Sequence, residues 1–286
     1  MTRDAYRNKW LRFLGQYENM SRKLISQGLR KSASNIPFDD LAKATYVGAI
    51  TSAIRLSDID SAYYSLYLSV GLKHGDRVGK GINREKSVKV FSSDSFRDLF
   101  TNDLLGWMRL NGIPMRIVTV QKGLIDHLID FIGLRVGQGE AFDTIVAKLQ
   151  RYILSKRFYS WQIERIVRTE AVAAANYGAS IAGGTSGYVQ EKEWISAHDP
   201  RTRRHQNGDL FDHWEMDGVK VGENEVFSVA NRNGGVDNLR FPGDPKGRAA
   251  NIINCRCSVA IVPKRDANGR LISTDSRPEA GAVVLR

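Results

Sequence analysis

The residues with most chemical reach lie in the last third of the chain. Cys255 and Cys257 stand one residue apart, and His198, His205 and His213 precede them. A disulfide closing so short a loop would be strained, so a disulfide framework is not on offer. Thiolate sulfur and imidazole nitrogen are instead the preferred ligands of zinc, which takes four of them in a tetrahedron. Cys255 and Cys257 on a strand edge, with His213 and a second histidine or an aspartate, His205 being the histidine assigned here, could supply that set. A small loop-rich module with little core would gain stability from such a staple. The competing expectation is that both cysteines are buried as small hydrophobes, since a C-x-C pair is a weaker signal than paired C-x-x-C.

Three catalytic arrangements are also conceivable. His198, His205, His213 and Asn254 suggest an HNH-like nuclease, which needs a base and metal ligands converging on a phosphate. Glu191-Lys192-Glu193 has the E-x-E form of ADP-ribosyltransferases. The gap from Ser186 to Glu191 is too short for a separate strand and nicotinamide pocket, and alternating charge on a half-exposed strand accounts for the pair. A cysteine nucleophile paired with His213 lacks any sign of activation. The expectation is therefore a non-enzymatic protein, with a nuclease or toxin-type effector using the His/Cys cluster as the alternative.

The surrounding elements follow from periodicity. Tyr188 to Ile195 and Ser258 to Val262 read as strands. Between them run the turn signals Asp199-Pro200, Asn207-Gly208, Asp217-Gly218, Asn233-Gly234-Gly235 and Pro242-Gly243-Asp244-Pro245. Upstream, Phe142, Ile145, Val146, Leu149 and Ile153 fall on one helical face. A further helix begins near Ser160 and runs through an Ala-rich end, Ala171 to Ala175, to Gly183-Gly184. Pro37-Phe38-Asp39-Asp40 opens a helix, and Asp94 to Leu110 forms another, stopped by Asn111-Gly112-Ile113-Pro114. The Gly-rich, charged stretch Gly75 to Glu85 reads as a loop.

The first 31 residues carry eight basic side chains (Arg3, Arg7, Lys9, Arg12, Arg22, Lys23, Arg30 and Lys31) against Asp4 and Glu18. Tyr6, Trp10, Phe13, Leu14, Tyr17, Leu24 and Ile25 recur at helical spacing, with a break expected near Ser21. This basic amphipathic helix could lie along nucleic acid or pack its aromatic stripe on the protein's own core. The whole chain of 286 residues has 42 Lys and Arg against 31 Asp and Glu, a net charge of +11. That balance favours an anionic partner without specifying one. No segment approaches the roughly 18 consecutive apolar residues of a membrane span, and no secretory leader is evident, so synthesis in a cytoplasm is expected.

Six short pieces occur in order between about residues 165 and 260. They are Arg168-Thr169-Glu170, a strand ending in Trp194, Asp199-Pro200-Arg201-Thr202-Arg203-Arg204, His213 with Met216-Asp217-Gly218, Phe241-Pro242-Gly243-Asp244-Pro245, and Asn251-Ile252-Ile253-Asn254-Cys255-Arg256-Cys257. In this order they resemble the phage Mu F-type head-morphogenesis family of minor head (capsid) proteins. Its motif positions here are Arg168, Glu170, Trp194, Asp199, Asp217, Gly218, Pro242, Asp244 and Asn254. One departure concerns the histidine: His205 stands soon after the Arg-Thr-Arg, but His213 better fits the family's spacing to Asp-Gly.

The resemblance implies a low-copy component of the phage head, internal or at the portal vertex, that acts in procapsid assembly, packaging or DNA delivery. Its partners would be the portal protein and other head proteins. Composition adds sequence-independent contact with double-stranded DNA through Arg3, Arg7, Arg12, Arg22, Lys23, Arg201, Arg203 and Arg204. The expected fold is α+β: a mainly helical region over 1–120, the head-morphogenesis module over 121–263 with structural zinc as its only cofactor, and a flexible tail over 264–286. Arg168 and Glu170 are expected to pair with Asp199 or Arg201, clipping helix to sheet.

Overall fold

The computed structural model describes residues 2–86 and 91–274. The fold is α+β, with helices preceding a small module of five strands. The helices are α1 (Arg3–Ala33), α2 (Tyr46–Ala53), α3 (Leu56–Lys86), α4 (Ser93–Leu110), α5 (Ile113–Gly137), α6 (Phe142–Leu154), α7 (Ser160–Gly184) and the single turn α8 (Ala249–Ile252). The strands are β1 (Gln190–Ile195), β2 (Lys220–Gly222), β3 (Phe227–Ala230), β4 (Val236–Leu239) and β5 (Ser258–Pro263). Strands β2, β1 and β5 form an antiparallel sheet in that order, with Trp194 opposite Val259 and Glu193 opposite Lys220, while β3 and β4 form a separate hairpin. No helix among the described residues is long and apolar enough to cross a membrane.

Two compact units divide the chain, and they do not follow its order. Of the described residues, one unit takes 2–21, 66–111 and 167–274, and the other takes 22–65 and 112–166. The sequence boundary near residue 120 lies inside α5. In the second unit, α6 buries Ile145, Leu149 and Ile153, the face its periodicity predicts. An ion pair joins Arg22 to Glu164, Lys31 reaches Asp58, and the Gln121 amide donates to the Ile54 carbonyl at 2.8 Å. The helix expected to open at Pro37 is a single 3-10 turn, Phe38–Asp40. Leu41 leaves it in extended conformation to bury its side chain, and helix resumes only at Tyr46.

The first unit holds the module. Residues 75–85 are helix, not loop, because α3 runs unbroken through them. A Cβ at Gly71 would collide with the ring of Phe100, at Gly75 with Phe96, and at Gly79 with Phe91. Glycines spaced four apart thus cut a groove that receives three phenylalanines. Each glycine costs a helix about 1 kcal/mol relative to alanine, and burying an aromatic ring returns about 1.5–3 kcal/mol, so the helix wins. Gly178 of α7 lies against the Gly71 backbone for the same reason, and Ala171 to Ala175 are fully buried.

The aromatic stripe of α1 packs on the protein itself, with Trp10, Leu14 and Tyr17 all buried. Within this unit the Tyr6 hydroxyl donates to the Val259 carbonyl at 2.9 Å and the Trp10 indole to Arg256 at 2.8 Å, which fastens α1 to the start of β5. No break occurs at Ser21. Of the expected tail, residues 264–274 turn back at Gly269 and pair with 187–189, where Val189 N donates to Ile272 at 2.9 Å and Thr274 N to Gly187 at 3.1 Å. The remainder, 275–286, lies outside the described residues.

Candidate metal centre

His213, Cys255 and Cys257 come together in the first unit from two pieces of chain, the loop before β2 and the short stretch that joins α8 to β5. Cys257 immediately precedes β5, whose register against β1 is set by Trp194 and Val259. Cys255 follows the turn of α8, where Asn254 adopts a left-handed φ of 57° and its N–H is taken by the Thr169 hydroxyl of α7. His213 sits in the loop before β2, its ring edge-on to the buried Trp194 at 5.2 Å. All three are almost fully buried, at 1, 1 and 2% exposure.

The two sulfurs lie at the same distance, 3.6 Å, from His213 Nδ1. A tetrahedral zinc with Zn–S of about 2.3 Å and Zn–N of about 2.0–2.1 Å sets its sulfur and nitrogen ligands about 3.5 Å apart. A neutral imidazole nitrogen has one lone pair and can accept one thiol proton, so an equidistant pair of sulfurs suits a shared cation better than a hydrogen bond. The far side of the ring agrees. His213 Nε2 lies 2.6 Å from Asn251 Oδ1, which can only accept, so the ring proton sits there and Nδ1 faces the sulfurs as a lone pair. Asn251 in turn donates to Asp237 at 3.0 Å, and Asp237 pairs with Arg248. Such outer partners hold metal-binding histidines in orientation. The group therefore could hold a metal ion.

The two thiols titrate as a pair. A hydrogen bond from Cys257 holds Cys255 below the ordinary thiol range against the opposing effect of burial. Burial first, then Cys255, pushes Cys257 well above it.

His205 does not join this group. Its Nε2 faces the Leu210 carbonyl at 3.3 Å, because the 3-10 turn His205–Asn207 carries the ring outward. Among the described residues, the ligand group contains no fourth Cys, His, Asp or Glu. His198 stacks on Trp214 at 4.0 Å and also stays apart, so the histidines of a nuclease-like arrangement do not converge.

Around the centre most of the motif positions are buried or half-buried, and each makes its own polar contacts. Asp217 accepts from Ser196 N at 2.8 Å and from Arg7 at 2.9 Å, while Gly218, at φ 81°, donates to the Trp194 carbonyl at 2.8 Å. Asp244 is fully buried and takes the Arg240 guanidinium through both oxygens at 2.7 Å, closing the Pro242-to-Pro245 turn in which Gly243 has φ 78°. The expected clip between Arg168 or Glu170 and Asp199 or Arg201 takes another form. Asp199 pairs with Arg256 at 2.9 Å, and Glu170 accepts the Tyr67 hydroxyl at 2.5 Å. Besides Thr169, Asn176 ties α7 to the module: its amide donates to the carbonyls of Pro242 and Cys257 and accepts from Val259 N and Ser258 Oγ. The signal was a lone asparagine closing a run of small apolar residues on a buried face.

The eight basic residues assigned to DNA divide. Arg7 is buried between Asp4, Asp217 and the Ser196 carbonyl; Arg3 pairs with Glu193 and Asp217, Arg22 with Glu164. Arg203 donates to the Ile253 carbonyl and Arg204 lies over Trp214. Arg12, Lys23 and Arg201 are exposed.

Within the E-x-E segment, Glu191 and Glu193 are half-buried on one face of β1 and Lys192 lies on the other. Lys192 is the buried member, its ammonium donating to the carbonyls of Glu225 at 2.5 Å and Arg240 at 3.0 Å. Burial first, and Arg240 second, lower its pKa from 10.5 to about 8. Between those values the unfolded chain binds the proton and the folded chain does not, so stability contributed at this site rises with pH across that window. In urea melts at pH 7 and pH 10, the wild type should therefore gain on Lys192→Met at the higher pH. A gap between the two that is the same at both values would refute this.

No protein-family model, curated protein or solved structure matches the chain.

Proposed function

We propose that this chain is a phage minor head protein of the Mu F type, acting in head assembly at the portal vertex, with its C-terminal module stapled by a structural zinc. The observation that supports it best is the convergence of the ordered motif. Pieces from Arg168 to Cys257, up to 89 positions apart by their numbering, meet around His213, Cys255 and Cys257. Near-complete burial of that group favours a staple over a reaction centre, since a reacting atom needs access, and a staple there needs a fourth donor besides these three side chains. Partners in this reading are the portal protein and other head proteins, and packaged DNA is contacted nonspecifically through the exposed Arg12, Lys23 and Arg201.

The test uses the phage that carries the gene. Procapsids and filled heads from the wild type and an amber allele are separated on gradients and probed for the chain. It should sediment with both particles, and heads made without it should fail in packaging or ejection. A chain that stays at the top of the gradient, with amber heads fully infectious, would overturn the reading.

A further inference from the structure

The second unit carries an aromatic ring that its own fold leaves uncovered. Trp161, in the first turn of α7, is 61% exposed, and Leu154, which ends α6, is 75% exposed. Between them Lys156 and Arg157 are exposed as well. We infer that this α6–α7 corner binds single-stranded nucleic acid, with an unpaired base stacked on Trp161 and the adjoining phosphates held by Lys156 and Arg157. The inference goes beyond the contacts with packaged DNA proposed above and uses none of their residues.

The corner is built to hold that ring outward. Phe158 and Tyr159 turn inward and are almost fully buried. Tyr159 reaches its place at φ 47°, a left-handed conformation that is costly for a bulky side chain. Its N–H donates to the Tyr152 hydroxyl at 3.0 Å, and its own hydroxyl lies 2.8 Å from where a Cβ on Gly123 would stand. From the other side, Arg30 donates to the Ser155 carbonyl at 2.7 Å. The backbone before Trp161 is thus pinned by buried groups, and the indole is presented from a fixed base. Arg165, one turn further along α7, lies over the ring at 5.2 Å. A guanidinium covers one face of an indole, and exposure this large leaves the other for a base, whose π face stacks on an aromatic whatever its identity. Paired bases keep both faces inside the duplex stack, so the ring selects unpaired ones. Stacking and phosphate contact make no use of the 2′-hydroxyl, so DNA and RNA strands should behave alike. A lipid surface is matched less well: affinity there grows with apolar area, and this corner offers one indole and one leucine among cations.

A labelled oligothymidylate of about twelve nucleotides is titrated by fluorescence anisotropy with the full-length wild type, Trp161→Phe, Trp161→Leu, and Lys156→Glu combined with Arg157→Glu. A duplex of the same length and vesicles of anionic lipid serve as the other two probes. All three side chains are exposed, so thermal midpoints should stay near that of the wild type. Trp161→Leu keeps apolar area without a ring and should weaken the single strand by about tenfold, the contribution of one stacked base. Trp161→Phe keeps a ring and should keep most of the affinity. The charge-reversed variant should lose about tenfold or more and flatten the dependence on salt. Duplex binding should ignore both Trp161 variants. A single strand bound equally by wild type and Trp161→Leu would overturn the stacking site while leaving DNA as a partner of some other surface. Single strand and duplex weakened alike in Trp161→Leu would overturn the selection of unpaired bases. Vesicles bound with no oligonucleotide would assign the corner to a lipid surface and overturn nucleic acid as its occupant.

Discussion

Zinc analysis of the protein purified without chelator should return about one ion per chain, and Cys255→Ser and Cys257→Ser should each return none. The size of the effect follows from where the ligands sit. A metal on these three side chains, drawn from two segments, would tie together a module whose described sheet has three strands beside a separate hairpin. Loss of a metal belongs to the few single changes that exceed about 4 kcal/mol, and for a chain of this size that lowers the thermal midpoint by roughly 10 °C. Serine in place of a merely packed cysteine also destabilises, by burying a hydroxyl at about 1–3 kcal/mol, so the variants alone do not decide. The chelator does. Wild-type protein should lose the same midpoint on metal removal and regain it with added zinc, while both variants ignore each treatment. Cobalt in place of zinc should give thiolate-to-metal absorption in the near ultraviolet. A wild type indifferent to chelator and free of metal would reduce the group to a packed strand edge.

Asn251 supplies a graded check on the same idea. Its side-chain oxygen holds His213 Nε2 at 2.6 Å, on the far side of the ring from the sulfurs at Nδ1. Outer partners of this kind are worth about 10–100-fold in metal affinity. Asn251→Ala should therefore bind zinc more weakly by that factor while keeping the stoichiometry, as read by competition with a chromophoric chelator.

Local pattern was legible in the sequence wherever local spacing decides the outcome. The face of α6, the ends of α4 and α7, and the two strands beside the centre were all readable, as was the grouping of His213 with Cys255 and Cys257. What failed depended on partners far along the chain. Gly75 and Gly79 read as breakers because nothing nearby shows Phe96 and Phe91 waiting to fill the groove they leave. Arg3 and Arg7 read as free charge because their partner, Asp217, lies more than 200 residues on. His205 was placed in the ligand set by residue type, yet the turn that carries it points it at Leu210. The discontinuous units have the same origin: each collects segments by tertiary contact, which no stretch of sequence displays.

Asn176→Ala should cost about 3–5 kcal/mol, more than any other single change proposed outside the metal ligands. The side chain is wholly buried, and its amide satisfies four groups of the module: the carbonyls of Pro242 and Cys257, Val259 N, and Ser258 Oγ. Alanine suits the helix better by at most about 0.7 kcal/mol. Against that gain it leaves buried carbonyls and an N–H without partners, each at about 1–3 kcal/mol. Because two of the four groups belong to Cys257 and Ser258, the loss also loosens the backbone that carries the Cys257 sulfur. Zinc affinity and urea stability should fall together in this variant. Asn176→Asp separates the parts played by donor and acceptor: it keeps the acceptor for Val259 N but sets a carboxylate against two carbonyl oxygens in a fully buried site. It should be worse than alanine, and most so above the carboxyl's pKa. Hydrogen exchange locates the damage, with faster exchange expected at Val259 and across β5 before α7 itself. Equal stability of wild type and Asn176→Ala would mean that the small residues of α7 hold the module by packing alone, and that the polar contacts contribute nothing net.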